Sequence, residues 1–129
     1  MTASFSAEIT DEMMSGFREI TGDINPLHID HQYAQTRGYS GRVVYGMLTS
    51  SFYSTLAGVY LPGRNCLLQR VDSKMLKPVF IGDKLLIEGR VTEKHDEFQM
   101  IIVKATIMNQ NNQKVSKAII QIGIMTPKY

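Results

Sequence analysis

Five polar side chains, four of them titratable, lie within nine consecutive positions: Asp23, Asn25, His28, Asp30 and His31. Pro26 disfavours a helical conformation at Asn25, so a turn is predicted between Asp23 and His28. Such a turn can direct a carboxylate and an imidazole to one point, where they can share a water molecule and act as general acid and base. The spacing therefore makes Asp23 and His28 a candidate catalytic pair.

The residues alone leave two other interpretations of this cluster open. Asp and Asn beside proline are common turn formers, and Asp30 can be an ordinary helix cap, so the segment can be a turn without chemistry. Asp23, His28 and His31 are also plausible metal ligands, although their spacing matches no recognised metal motif.

Three helices are predicted around the cluster. Residues 10–21 have an apolar stripe at helical spacing, with Thr10 as N-cap and Gly22 as the stop. Asp30 is predicted to cap a short helix that ends near Gly38. A longer helix runs from Gly46 to about residue 60, and because it is almost free of charge we expect it to be buried nearly all round.

The second half of the chain has the alternating pattern of antiparallel strands. Apolar residues alternate with others over 85–92, 101–108 and 118–124, with turn residues at 94–96 and 110–112, and an earlier strand is predicted over 66–77. Helices followed by strands predict an α+β fold in which one buried helix lies on a curved sheet. With no repeat or linker, residues 1–129 are expected to form a single domain.

Composition excludes several classes of function. The formal net charge of +2, without a run of Lys or Arg, argues against nucleic acid as a partner. The longest apolar stretches are too short to cross a membrane, and the N-terminal residues have no signal-peptide pattern. Cys66 is the single cysteine, so no internal disulfide is possible. We therefore expect a cytoplasmic protein with no membrane partner.

Residues 20–30, Ile-Thr-Gly-Asp-Ile-Asn-Pro-Leu-His-Ile-Asp, resemble the signature of the MaoC-like dehydratases and (R)-specific enoyl-CoA hydratases. Further similar landmarks are Tyr-Gly-Met-Leu at 45–48, Leu-Pro-Gly at 61–63 and Leu-Lys-Pro-Val-Phe-Ile-Gly-Asp at 76–83. The resemblance covers roughly residues 5 to 125. One departure is Tyr45, which stands where the family usually has histidine, and it puts substrate preference or the orientation of the helix start in question.

The resemblance implies a hot-dog fold, in which an antiparallel sheet wraps a long, mostly buried helix, and it implies a homodimer. The implied reaction is reversible addition of water to a trans-2-enoyl thioester, which gives the (R)-3-hydroxyacyl thioester of coenzyme A or acyl carrier protein. Asp23 and His28 would hold the water, with the division of acid and base roles left open. No metal and no organic cofactor are expected.

The same resemblance points to three supporting residues. Negative charge develops on the thioester carbonyl oxygen during hydration, and the backbone N–H of Gly46 at a helix N-terminus suits that charge. Asn25 is expected to shape the turn or orient a neighbour. Ser54, by its family position, can form a hydrogen bond near the pair, or it can bond to its own helix backbone.

Two other functions stay open beside the hydratase. A hot-dog thioesterase would hydrolyse the thioester and release a free thiol. A non-catalytic acyl-binding partner subunit would turn over no acyl thioester. The Asp-x-Asn-Pro-Leu-His turn favours the hydratase, because it is the hydratase signature, and the presence of both Asp23 and His28 argues against a non-catalytic subunit.

Overall fold

A computed structural model describes residues 1–126, which form one five-stranded antiparallel sheet crossed by a central helix. The strands lie in the order β1-β3-β4-β5-β2. Their bounds are β1 Thr2–Glu8, β2 Cys66–Met75, β3 Lys84–His95, β4 Met100–Met108 and β5 Lys114–Ile124. The predicted α+β class is confirmed. Strands β3 to β5 include the spans where the alternating pattern placed them, and β2 lies within the earlier strand predicted over 66–77. The last part of the predicted domain, residues 127–129, lies outside the described residues.

The central helix, α4, covers Gly46–Thr55 and continues as a π-helical segment over Leu56–Tyr60. Together they match the helix predicted from Gly46 to about residue 60. Tyr53 and Leu56 are fully buried against the sheet. The expectation of burial nearly all round is wrong, because Met47 is 69% exposed and Ser51 and Ser54 are also exposed. A helix without charges need not be buried on every face, since serine is readily solvated.

Close packing between α4 and the sheet depends on a glycine in β3. A methyl group at Gly89 would lie 2.7 Å from Leu56 Cδ2 and 3.1 Å from Val103 Cγ1. Overpacking of this kind typically costs about 1–3 kcal/mol. The absence of a side chain at Gly89 therefore determines how closely the π-helical segment approaches the strands. The start of α4 lies at the other end of the same packed layer.

Three further helices precede α4: α1 over Asp11–Thr21, α2 over Pro26–Ile29 and α3 over His31–Thr36. The predicted caps are confirmed, because Thr10 Oγ1 accepts from Met13 N at 3.2 Å and Asp30 Oδ1 accepts from Tyr33 N at 3.1 Å. Gly22 ends α1 with φ 71°, in the left-handed region that favours glycine.

One helical turn, α2, replaces the simple turn expected between Asp23 and His28. Proline is well suited to the first position of a helix, where its missing N–H removes no hydrogen bond. Pro26 therefore keeps Asn25 out of the helix but starts one itself, with Asn25 as its N-cap. His28 consequently projects from a short helix rather than from an extended loop.

Strand β1 was not predicted from the sequence. It is an edge strand, antiparallel to β3, and it directs Ala3, Phe5 and Ala7 inward while Thr2, Ser4 and Ser6 are exposed. The alternation was present, but alanine and serine carry little β propensity and little apolar contrast. None of the described helices is long and apolar enough to cross a membrane.

Candidate active site

The backbone of α2 is anchored to the segment just before α4. Val43 N donates to Leu27 O at 3.2 Å, and Arg42 Nε donates to His28 O at 2.9 Å. The same guanidinium pairs with Asp11 at 3.0 Å, where α1 begins. Arg42 thus ties the short helix that carries His28 to a longer helix, which limits its movement.

The ring of His28 is oriented by a backbone carbonyl. Its Nδ1 lies 2.6 Å from Val43 O. Because a carbonyl oxygen only accepts hydrogen bonds, Nδ1 must carry the proton, and in the neutral ring Nε2 then carries the lone pair. A histidine held in this tautomer can accept a proton at Nε2, which is what a general base requires.

Asp23 lies on an exposed loop whose shape is set by short-range hydrogen bonds. Its Oδ1 accepts from Asn25 N at 3.1 Å, and its own N–H donates to Thr21 Oγ1 at 3.2 Å. The side chain of Asn25 accepts from Leu27 N at 3.0 Å and so caps α2. Asn25 therefore has the turn-shaping place expected of it.

Tyr45 lies between the two members of the candidate pair and is only 2% exposed. Its hydroxyl donates to the backbone carbonyl of Asp23 at 2.7 Å, and its ring centroid is 4.2 Å from that of His28. Burial, and then the negative charge of Asp23, raise the pKa of the Tyr45 hydroxyl, against the lowering effect of Arg18 and Arg42. The hydroxyl consequently stays protonated and able to donate.

A cleft of about 350 Å³ is lined by both His28 and Gly46. Tyr45 is the N-cap of α4 but supplies no side-chain hydrogen bond to it, so the first N–H groups of the helix remain available as donors. Thr49, one turn further on, also lines the cleft. A potential base and the positive end of a helix dipole thus share one cavity, a combination suited to a substrate that develops negative charge.

A larger depression, of about 840 Å³, lies on the opposite face of the sheet. Charged side chains that point away from the helices line it, among them Lys74, Arg90, Lys104 and Lys117. None of the predicted site residues lines this depression, and the residues named are exposed. We take it to be the solvated face of the sheet and place the candidate site in the smaller cleft.

The predicted site residues are only partly brought together. His28 and Gly46 line the same cleft, whereas Asp23 and Ser54 are not among its lining residues. Within residues 1–126, no direct hydrogen bond joins the side chains of Asp23 and His28; Asn25 bonds to both residues, and Tyr45 contacts both from the start of α4. Ser54 is exposed, eight positions after Gly46, so its role near the pair stays a prediction.

Two groups that shape the site were not found from the sequence. The carbonyl of Val43 and the side chain of Arg42 act on a residue about fifteen positions away, and no local pattern marks them. The metal interpretation finds no support in residues 1–126, where no group of three or more His, Cys, Asp or Glu side chains could hold an ion.

Comparison with known proteins places this architecture in a family. The model of the family described as "MaoC like domain" matches residues 2–113. The chain belongs to this MaoC-like family. An (R)-specific enoyl-CoA hydratase of Aeromonas caviae is 31% identical over 97 residues, which are 75% of this chain and 72% of that protein. Another, from Rhodospirillum rubrum, is 30% identical over 105 residues, covering 81% and 73% of the two chains.

Solved structures show the same relationship. The (R)-hydratase of A. caviae superposes on this MaoC-like chain with a TM-score of 0.91 and 26% identity, over 96% of this chain and 94% of that one. The hot-dog prediction is therefore confirmed: α4 is the central helix, and the five-stranded sheet is its wrapping layer.

The tautomer of His28 can be observed directly. We expect ¹⁵N spectra of the neutral ring, recorded at alkaline pH, to show the proton on Nδ1 and an unprotonated Nε2, because Val43 O holds the Nδ1 proton. His95 provides an internal contrast, since its Nε2 lies 3.0 Å from Glu93 Oε1. A spectrum with the His28 proton mainly on Nε2 would contradict the geometry described for the site.

Proposed function

We propose that this protein adds water reversibly to trans-2-enoyl thioesters and forms (R)-3-hydroxyacyl thioesters. The observation that carries the proposal is the single cleft shared by His28 and the start of α4. It lies in a MaoC-like chain that is similar to two (R)-specific enoyl-CoA hydratases. The cleft offers a proton acceptor on one side and hydrogen-bond donors for an oxyanion on the other.

The proposed reaction requires no group beyond the chain and water. The oxygen of water bonds to Cβ, the Cα–Cβ double bond is lost, and the electron pair moves toward the thioester carbonyl oxygen. The Gly46 N–H stabilises that oxygen, and loss of one such donor typically costs about 10²–10³ in turnover. The water gives one proton to the pair and the pair returns one to Cα, so both groups finish as they began.

Asp23 and His28 are proposed to hold the same water. Nε2 of neutral His28 can accept a proton, and so can the exposed carboxylate of Asp23. The two groups therefore act as one unit, with the water between them. Ser54 and Asn25 are proposed as supporting residues: Asn25 by capping α2, and Ser54 near the pair in the assembled protein.

The acyl carrier is proposed to be coenzyme A or acyl carrier protein. Both present the acyl group on a phosphopantetheine thiol, so the same cleft can serve either. Lys77 adds an exposed positive charge to the cleft lining, which suits a carrier that contains phosphate.

A homodimer in the cytoplasm completes the proposal. Strand β2 is an edge of the sheet and exposes apolar side chains, with Leu67 53% and Met75 43% exposed. Natural proteins rarely leave such an edge unprotected, and a second copy can cover it together with the exposed face of α4. The lone cysteine, Cys66, fits a reducing compartment.

Sedimentation equilibrium at micromolar concentration should give twice the chain mass. Leu67→Lys places a charge on β2 and should shift the protein toward monomer, whereas Phe98→Lys, at a 72% exposed position in the turn before β4, should not. A stable wild-type monomer with full activity would contradict the dimer.

Substitution of Asp23 or His28 should greatly reduce kcat but leave the protein folded. Asp23→Asn and His28→Ala should each lower kcat for an enoyl-CoA by about 10²–10⁴-fold, because each removes a proton-transfer group. The double variant should be little worse than the worse single one, since both groups hold one water. Steady-state hydration of an enoyl-CoA gives kcat for each variant, and circular dichroism shows whether each variant is folded.

His31→Ala is the matched control for these variants. His31 is an exposed histidine at the first position of α3 and is not among the residues lining the cleft, so kcat should change little. Near-normal kcat in folded Asp23→Asn and His28→Ala would leave the pair as a structural turn and remove the catalytic assignment.

A further inference from the structure

Tyr45 contacts both members of the pair from outside the segment that carries them. Its hydroxyl reaches Asp23 O at 2.7 Å, and its ring packs on the imidazole of His28 at 4.2 Å. The hydrogen bond spans 22 positions of the sequence. A side chain that is 2% exposed thus contacts both the backbone of Asp23 and the ring of His28.

We propose that Tyr45 is a positioning residue, which sets the distance between Asp23 and His28 so that one water can contact both. The inference rests on the proposed hydratase function of the cleft. Tyr45 does not itself line the cleft, so it acts through its neighbours and not on the substrate.

Asp23 depends on this contact because its other hydrogen bonds are local. The carboxylate accepts from Asn25 N and the N–H donates to Thr21 Oγ1, each only two positions away. Within residues 1–126, the bond from Tyr45 is the one hydrogen bond that ties Asp23 to a distant part of the chain. Without it, the exposed loop is held only by hydrogen bonds within residues 21–28, among them that from His28 N to Asn25 O at 3.1 Å, so the loop opens more readily and the carboxylate is less well placed.

Tyr45 can serve as a reference point because it is itself held on several sides. Its ring also packs against Phe17 of α1, with centroids 4.7 Å apart. Its carbonyl accepts from Thr49 N at 3.2 Å, and the preceding Val44 donates to Val79 O at 2.7 Å. Tyr45 therefore moves with the start of α4, so one residue relates the backbone of Asp23, the imidazole of His28 and the Gly46 N–H to each other.

The hydroxyl and the ring can be separated experimentally. Tyr45→Phe keeps the ring contacts with Phe17 and His28 but removes the bond to Asp23. If Tyr45 only filled space, phenylalanine would replace it without loss. If it positions Asp23, kcat should fall while KM stays nearly constant, because ground-state binding is untouched and a misplacement of about 1 Å can cost about 10²-fold.

Tyr53→Phe is the matched control, because Tyr53 is also a buried tyrosine of the same layer whose hydroxyl donates a hydrogen bond, to Ser116 Oγ at 2.8 Å. It does not line the cleft. Tyr53→Phe should lower Tm at least as much as Tyr45→Phe, since it loses a buried hydrogen bond and Tyr45→Phe loses a partly buried one. A purely structural effect on activity would therefore be at least as large in Tyr53→Phe as in Tyr45→Phe.

The experiment measures kcat and KM for hydration of an enoyl-CoA by the wild type, Tyr45→Phe, Tyr53→Phe, Asp23→Asn and the double variant Tyr45→Phe/Asp23→Asn. We expect kcat of Tyr45→Phe to fall about 10- to 100-fold with KM within about twofold. Tyr53→Phe should keep wild-type kcat. The double variant should be no slower than Asp23→Asn alone, because the lost hydroxyl acts through Asp23.

Hydrogen exchange gives a second measurement that does not need activity. In Tyr45→Phe the amide of Asn25, which bonds to Asp23 Oδ1, should exchange several-fold faster than in the wild type, while amides of β4 should be unchanged. Unchanged kcat and unchanged exchange in folded Tyr45→Phe would overturn the inference, as would multiplying effects in the double variant. A wild type that hydrates nothing would instead overturn the proposed function, and the exchange result would still test the role of Tyr45.

Discussion

The hydrogen bond between the His28 imidazole and the Val43 carbonyl is the interaction on which the candidate site depends. At 2.6 Å it fixes the ring, the tautomer and the distance between α2 and the segment that starts α4. A helix of four residues such as α2 has almost no stability of its own, because the conformational entropy lost in nucleation offsets most of the free energy that its few hydrogen bonds contribute. The bonds to Val43 and from Arg42 therefore hold α2 in place as well as orient its histidine.

The sheet and central helix determine where that bond can form. Strands with alternating apolar residues bury one face against Tyr53 and Leu56, and the small size of Gly89 lets the helix lie close. Because α4 is clamped in this layer, its N-terminus is fixed, and with it the carbonyl of Val43, the ring of Tyr45 and the N–H of Gly46. The candidate site is therefore one consequence of how the helix is buried, and it lies where the first N–H donors of the helix remain free.

The sequence predicts local features of this protein well, because their causes lie within a few residues. Thr10, Gly22 and Asp30 act as caps through bonds over three or four positions, and the long strands follow from period-two patterning. Strand β1 is not predicted, because its alternating alanine and serine residues differ little in hydrophobicity. The exposed face of α4 is not predicted either, because a helix without charged residues can still expose serine and methionine.

The sequence indicates candidate site residues where residue types carry the chemistry, and it gives no indication of the contacts that distant backbone makes. The motif identified His28 and Gly46, which the fold brings to one cleft. No pattern in the sequence indicates that Val43 O would accept from His28, or that the departure at Tyr45 would link Asp23 to the imidazole. These contacts exist only after α1, α2 and α4 have packed together, so they could not be predicted from spacing.

The most direct test of the central claim is hydration of the four-carbon trans-2-enoyl-CoA in water enriched in ¹⁸O. Mass spectrometry with chiral analysis of the product gives the site of the label and the configuration at C3. Our account predicts an intact thioester with one ¹⁸O in the C3 hydroxyl of the (R) isomer and no free coenzyme A. Label in a released carboxylate, with free coenzyme A formed in equal amount, would contradict it and show thioester hydrolysis instead.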